Sequence, residues 1–251
     1  MAAKAVRVIG PGRAGRSLAR GLDEAGWSVA GVLGRDDDVS AAASAVDLLV
    51  IATPDGAVDA VASAVAPDAH GRCVVAHLAG ALGLDVLAPH GRRASIHPLR
   101  SLPTTASDLT GAWFAVAGDA LAGEVVADLH GRLVGVADAD RTAYHAAAVI
   151  ASNHLVSLLG SVERVAATAG VPLDAFLDLV RGTVDNVAAL GPAGALTGPV
   201  ARGDRATVAA HLAAIPASER WAYEALAESA ALLLPDRETC GHPCPSGDAD
   251  R

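Results

Sequence analysis

Two hydrophobic periodicities divide the chain. In the first half, short apolar runs alternate with stretches whose apolar positions recur at helical spacing. The runs Val6–Ile9, Trp27–Leu33, Leu48–Ala52, Cys73–Leu78, Ala94–His97, Trp113–Ala117 and Leu133–Val136 predict strands. Several are apolar at nearly every position, as in strands covered by helices on both faces. Helices are predicted over Arg13–Ala25, Ala57–Ala66 and Ala120–His130, with a shorter one near Leu84–Ala88. This alternation predicts an α/β fold: a doubly wound, Rossmann-type parallel sheet.

The pattern changes near Asp138, beyond which only helical spacing is found. One long helix is expected from Asp140 to about Thr168. Pro172 opens a second, Leu173–Leu190, where its missing N–H costs little. Gly191-Pro192-Ala193-Gly194 breaks that helix. Asp204 is a plausible N-cap for Arg205–Ala213, and Pro216 opens a last helix to Leu233. The expected organisation is an α/β domain over 4–138, an all-helical domain over 139–234 and a disordered tail over 235–251.

Composition narrows the classes. Hydrophobic residues make up 52% of the 251 positions and aromatic residues 3%, so Ala, Val and Leu must build the core. No uninterrupted apolar run reaches the roughly 18 residues of a membrane span. No secretory signal is seen, so a cytoplasmic protein without a membrane partner is expected. A net charge of −9 argues against nucleic-acid binding, which depends on Lys and Arg neutralising phosphates. Cys73 falls in an apolar run and reads as an inert small hydrophobe. Cys240 and Cys244 lie in the Pro/Gly/Asp-rich tail without a second ligand pair, so no metal is expected. Lys4 is the sole lysine and precedes the first strand. Schiff-base chemistry is therefore not expected.

Gly10-Pro11-Gly12-Arg13-Ala14-Gly15 carries the sharpest chemical signal. It is a G-x-G-x-x-G between a predicted strand and a predicted helix, the context of a dinucleotide-binding loop. The first glycine permits a tight turn, the second lets backbone approach a pyrophosphate, and the third lets helix pack on strand. Arg35 follows Gly15 by 20 residues, just after Gly34. A guanidinium there suits the 2′-phosphate of NADP, whereas Asp36 could serve the ribose of NAD. The reading favours NADP, with NAD possible.

Later strand ends supply further candidates. Thr53, Pro54 and Asp55 should border the cofactor, although Asp55 could equally cap a helix. His77 and His97 each stand at or near a strand end, and Pro98 is expected to force the chain out of the sheet after His97. A histidine there can donate a proton to a carbonyl oxygen or simply bond backbone in a turn. In the long helix, His145, Val149, Ser152 and Asn153 share one stripe, which could face a polar cleft or another helix. Arg202, in a Gly/Pro-shaped loop, could clamp a carboxylate or make an ordinary salt bridge.

Taken together, Gly10–Gly15, Thr53-Pro54-Asp55, His77–Leu82, Ile96-His97-Pro98-Leu99, His145–Asn153 and Leu196–Asp204 carry a resemblance. The N-terminal half resembles the dinucleotide-binding domain of ketopantoate reductase, pyrroline-5-carboxylate reductase and 6-phosphogluconate dehydrogenase. From about Val6 to Leu234 the chain resembles bacterial Rossmann-like proteins whose helical half is domain of unknown function 2520. The resemblance implies substrate bound between the two domains and a homodimer formed through the helical one. Relatives place a lysine on the long helix with an asparagine four residues later. Asn153 matches that asparagine, but Val149 stands at the lysine position, which moves the proton donor to His97 or His145. Ala79 is a second departure, since relatives tend to have a hydroxyl residue there.

The expectation is an NADP-dependent oxidoreductase that reduces a small 2-keto acid resembling ketopantoate. His97, His145 and Asn153 would serve the chemistry. His77, Ser152 and Arg202 would hold the substrate. An imine reductase of the pyrroline-5-carboxylate type and a non-catalytic NADPH sensor are the alternatives.

Overall fold

The computed structural model describes residues 3–105 and 107–234. The expected tail over 235–251, with Cys240 and Cys244, lies outside the described residues. The chain divides into two compact units, one through Asn153 and one from His154 onward.

The first unit is built on seven strands: β1 (Ala5–Ile9), β2 (Ser28–Leu33), β3 (Leu48–Ile51), β4 (Val74–His77), β5 (Arg93–Leu99), β6 (Trp113–Gly118) and β7 (Arg132–Gly135). Their order across the sheet is β2-β1-β3-β4-β5-β6-β7. The chain leaves β1 toward β2 on one side and returns to β3 on the other, which makes the β1/β3 boundary the switch point of the sheet. Ligands of open α/β sheets sit at the carboxyl ends of strands at such a point.

Alternation along each strand splits the core into two layers. Val6, Val8, Leu48, Val50, Val74, Ala76, Ala94, Ile96 and Phe114 face one side. They pack with Leu18 and Leu22 of α1 (Arg13–Glu24) and Val125 and Val126 of α3 (Leu121–Asp128). Leu49, Ile51 and Val75 face the other side, with Val58 and Ala62 of α2 (Val58–Ala64). Cys73 is buried with this second layer, and burial pushes its thiol up to about 11, as an inert cysteine requires.

The sheet is parallel as expected except at one pair, where β5 and β6 run antiparallel. One strand expectation is corrected. Pro98 does not end β5, because it pairs with Phe114 inside the β5–β6 ladder. β4 flanks β5 only along Arg93–Ser95, so at Pro98 one side of the strand is open and a missing N–H is tolerated there.

Lys4 stands just before β1, at the end of that strand away from Gly10. It pairs with Glu124 at 2.8 Å and Asp128 at 3.3 Å, and lies 5.0 Å from the Trp27 ring centre. The sole lysine is thus engaged away from the strand ends where a ligand would bind.

The expected long helix is three consecutive segments: α4 (Arg141–Val149), a π-helical turn (Ile150–His154) and α5 (Leu155–Ala167). Together with the turn before it, the stretch Asp138–Ala167 is long and apolar enough to cross a membrane, with a mean hydropathy of 1.3. The search for unbroken apolar runs passes over it, because Asn153 and His154 interrupt the run. Its first part is engaged with protein instead: Arg141 is buried and Tyr144 bonds to His97 on β5. This first part belongs to the unit that ends at Asn153.

The second unit holds α5, α6 (Asp174–Ala195), α7 (Gly198–Arg202), α8 (Arg205–Ala214) and α9 (Ala217–Ala231). Gly191, at φ 71°, kinks α6 where the sequence predicted its end. Asp204 caps α8 as expected, its carboxylate accepting from the Thr207 N–H at 3.0 Å.

Phe114 is fully buried under α3 and fills the layer beside Gly131, where an added Cβ would lie 2.9 Å from its ring. Phe114→Ala should cost about 4 kcal/mol of unfolding free energy in denaturant melts. A loss under about 1 kcal/mol would show that the layer collapses around the cavity.

Candidate active site

The glycine loop occupies the switch point. Gly10 has φ +111°, a conformation that favours glycine, and its N–H donates to the Leu33 carbonyl at 2.8 Å. A Cβ on Gly10 would lie 2.5 Å from the Ala52 carbonyl oxygen, and one on Gly15 would collide with the Gly10 carbonyl oxygen. A Cβ on Gly12 would meet nothing within 4 Å. Gly10 makes the turn, Gly15 lets α1 close on the loop, and Gly12 leaves the approach open. Gly12 is also the N-cap of α1 and brings no capping side chain, so the first-turn N–H groups are left for an anion. Pro11 and Arg13 are exposed on the loop, and Ala14 is half-buried.

At the end of β2, Gly34 donates its N–H to Asp37 at 2.7 Å, and Ser40 donates to Asp38 at 2.8 Å. Two of the three aspartates are therefore folded onto backbone, which leaves Arg35 and Asp36 exposed beside the loop. Thr53 follows β3 with its hydroxyl buried and without a hydrogen-bond partner among the described residues. Pro54 and Asp55 are exposed. Asp55 heads a short 3-10 turn and makes no side-chain cap. An open cradle at Gly12, a free helix end and an exposed guanidinium fit a dinucleotide.

A polar patch interrupts the second core layer over β4 and β5. His77 and Ser95 are register partners and both fully buried. Alternation places His97, two residues beyond Ser95, on the same face. His77 Nε2 lies 3.1 Å from the Gly83 carbonyl, so it carries the proton and donates there. Its Nδ1 and the Ser95 hydroxyl have no partner among the described residues. Burial is the main cause that lowers the His77 pKa.

α4 covers this patch with Arg141, Tyr144 and His145, which share a helix face at i, i+3 and i+4. The Tyr144 hydroxyl lies 2.6 Å from His97 Nδ1. The His97 and His145 rings meet edge to face with centres 6.1 Å apart. Between them lies Gly80: a Cβ there would come within 2.6 Å of His145 Cδ2 and 3.0 Å of His97 Nε2. Burial first, then His145, Arg141 and His77, push His97 down to about 4. Burial pushes the Tyr144 phenol up to about 12. At neutral pH the imidazole is therefore uncharged and the phenol keeps its proton.

The structure brings His77, His97 and His145 together and adds residues that sequence reasoning missed: Ser95, Arg141 and Tyr144. Ser95 was legible as the alternate-position neighbour of His97, and Arg141 and Tyr144 as the turn before His145. The expected stripe of His145, Val149, Ser152 and Asn153 is not continuous. The π-turn widens the helix at Ile150–His154 and rotates the last two residues off the line. Ser152 and Asn153 are exposed; the Ser152 hydroxyl lies 2.7 Å from the Ala148 carbonyl and 2.9 Å from Asn153 Oδ1. Arg202 is exposed at the end of α7, in the other unit.

A histidine held neutral by burial binds fewer protons folded than unfolded. The stability that His97 contributes is fully present above pH 6.5 and is lost as pH falls toward 4. The groups facing it are His77 on β4 and Arg141, Tyr144 and His145 on α4. His97→Gln should flatten the acid limb of a stability–pH profile by about 3 kcal/mol between those limits. An unchanged limb would mean that His97 titrates normally.

Residues 114–230 match the family described as Domain of unknown function (DUF2520). No curated protein matches the chain. Among solved structures, a candidate NADP oxidoreductase from Bacteroides fragilis superposes with a TM-score of 0.75 at 18% identity, over 92% of this chain and 98% of that one. A reductive aminase from Aspergillus terreus, in complex with NADPH, cyclohexanone and allyl amine, gives 0.68 at 17% identity, over 91% and 94%. Plasmodium falciparum pyrroline carboxylate reductase with NADP bound gives 0.62 at 13% identity, over 92% and 98%. The chain shares the fold of these proteins along nearly its whole length, and residues 114–230 are similar to the DUF2520 family.

Proposed function

We propose that this protein is an NADP-dependent reductase of a small carbonyl compound, with a 2-keto acid resembling ketopantoate as the substrate class. The observation that carries the reading is the hydrogen bond between Tyr144 and His97 beside Gly80, on the same strand-end side of the sheet as the glycine loop. Gly10, Gly12 and Gly15 would seat the pyrophosphate, and Arg35 the 2′-phosphate. The structural neighbours named for NADP or NADPH support that cofactor. When bound, NADPH supplies the hydride.

The protein's part is the proton. In this reading Tyr144 donates its O–H to His97 Nδ1, 2.6 Å away, and His97 carries its proton on Nε2, the nitrogen beside Gly80. As alkoxide charge develops on the substrate oxygen, that oxygen takes the Nε2 proton. Nδ1 in turn takes the Tyr144 proton. The phenolate so formed is favoured by the Arg141 charge, which opposes the upward push of burial on Tyr144, and solvent later reprotonates it. His145 packs against the relay and holds the ring.

A second reading, reduction of a C=N bond, is supported by the neighbours named as a reductive aminase and a pyrroline carboxylate reductase. The relay distinguishes the two, since a protonated iminium needs no further proton whereas a carbonyl does. A homodimer through the helical unit is also proposed. Val156, Leu179, Leu190 and Trp221 there are 71%, 67%, 63% and 79% exposed, more large apolar surface than a lone unit keeps in water.

Calorimetry should show NADPH binding at least tenfold tighter than NADH, with Arg35→Ser removing the difference. Gly80→Ala should keep NADPH affinity and lower kcat on a 2-keto acid about 100-fold by displacing both histidines. Tyr144→Phe should do the same for keto acids and spare iminium substrates. Wild-type protein that does not bind NADPH contradicts the reading. Gly80→Ala with full activity contradicts the assigned proton donor.

A further inference from the structure

Arg141 is only 1% exposed, yet Nε, Nη1 and Nη2 have no hydrogen-bond partner among the described residues. Its nearest carboxylate, Asp138, stands 3.6 Å from Nε, beyond hydrogen-bond range, and is 42% exposed. Asp138 Oδ2 accepts the Leu84 N–H at 2.9 Å, and Oδ1 faces Arg141 only as a long ion pair that leaves the guanidinium donors without a hydrogen bond. A guanidinium buried with its donors unspent is costly. It is not alone. His77 Nδ1 and the Ser95 hydroxyl, side by side on the sheet beneath α4, are buried and unpartnered as well. Arg141 is close enough for its charge to act on both His77 and His97.

We infer that Arg141, with the Ser95 hydroxyl and His77 Nδ1 behind it, is the seat for a carboxylate of the substrate. The inference rests on the reductase reading above and names the group that such a substrate must carry. A planar guanidinium with all its donors free matches the two oxygens of a carboxylate. The serine hydroxyl donates to the same anion, and His77 Nδ1, an acceptor while Nε2 is bonded to Gly83, takes an N–H of the guanidinium. Tyr144 lies one turn along the same helix face, so an acid anchored at Arg141 would present an adjacent carbonyl to His97. This selects 2-oxo acids over simple ketones. It also moves the carboxylate clamp from Arg202, the sequence candidate, to a residue that the histidines themselves surround.

The test is calorimetric titration of oxamate, an unreactive 2-oxo acid mimic, into the NADPH-saturated protein. Ethyl oxamate serves as the neutral control and inorganic phosphate as the alternative anion. Wild type should bind oxamate at least 30-fold more tightly than ethyl oxamate or phosphate. Arg141→Gln should lose that preference while keeping NADPH affinity within twofold. Arg141→Lys, which keeps the charge but not the fork, should retain an intermediate preference and covers the case in which the glutamine variant does not fold. The thermal midpoint gives a second readout: Arg141→Gln should melt no lower than wild type, because it removes a buried charge whose donors are not hydrogen-bonded and whose ion pair to Asp138 is long. Oxamate binding equally well to wild type and either folded variant overturns the inference, as does tighter binding of phosphate. So does NADPH-loaded wild type that ignores oxamate. Failure to bind NADPH overturns the reductase reading instead.

Discussion

The hydrogen bond between Tyr144 and His97, 2.6 Å long, is the contact on which the site depends. It joins the first turns of the long helix to β5, and it forms in a place dry enough to keep the imidazole neutral and the phenol protonated. Both consequences follow from burial. A neutral imidazole that accepts on one nitrogen must donate on the other. With the Tyr144 hydroxyl as donor, as the proposed relay requires, the His97 proton sits on Nε2 beside Gly80. Without α4 in place, His97 would be an ordinary histidine on an exposed sheet face.

Charge is distributed around this bond in an unusual way. A helix arginine is buried over three histidines, two of which it helps to keep uncharged. Placing a cation against potential cations makes sense where a negative charge has to be received. Both a substrate anion and a transient phenolate meet that description. The sole lysine, tied to Glu124 and Asp128 before β1, has no share in it.

Much of this was legible in the residues, for definite reasons. Gly10–Gly15 could be read because backbone sterics leave little choice: two of the three glycines have no room for a Cβ, and the third must leave room. The two-layer sheet could be read because the strands alternate between layers that helices cover. Asp204 could be read because capping is local. What was missed depended on what lies across space or on register. Pro98 was read as a strand end because the early departure of β4 is a property of the sheet. Arg141 and Tyr144 were passed over because nothing in a helix sequence says which face meets a strand 40-odd residues earlier. Asn153 was placed on a stripe that the π-turn displaces, and a π-turn leaves little mark in the sequence.

The central claim is that His97 stands neutral with its proton on Nε2 and its Nδ1 bonded to the Tyr144 hydroxyl. Nitrogen-15 NMR of the histidine rings, followed from pH 8 to pH 4, measures this directly. The account predicts an Nε2–H tautomer for His97 that does not become imidazolium until pH approaches 4. An Nδ1–H tautomer, or an imidazolium appearing near pH 6.5, would contradict it.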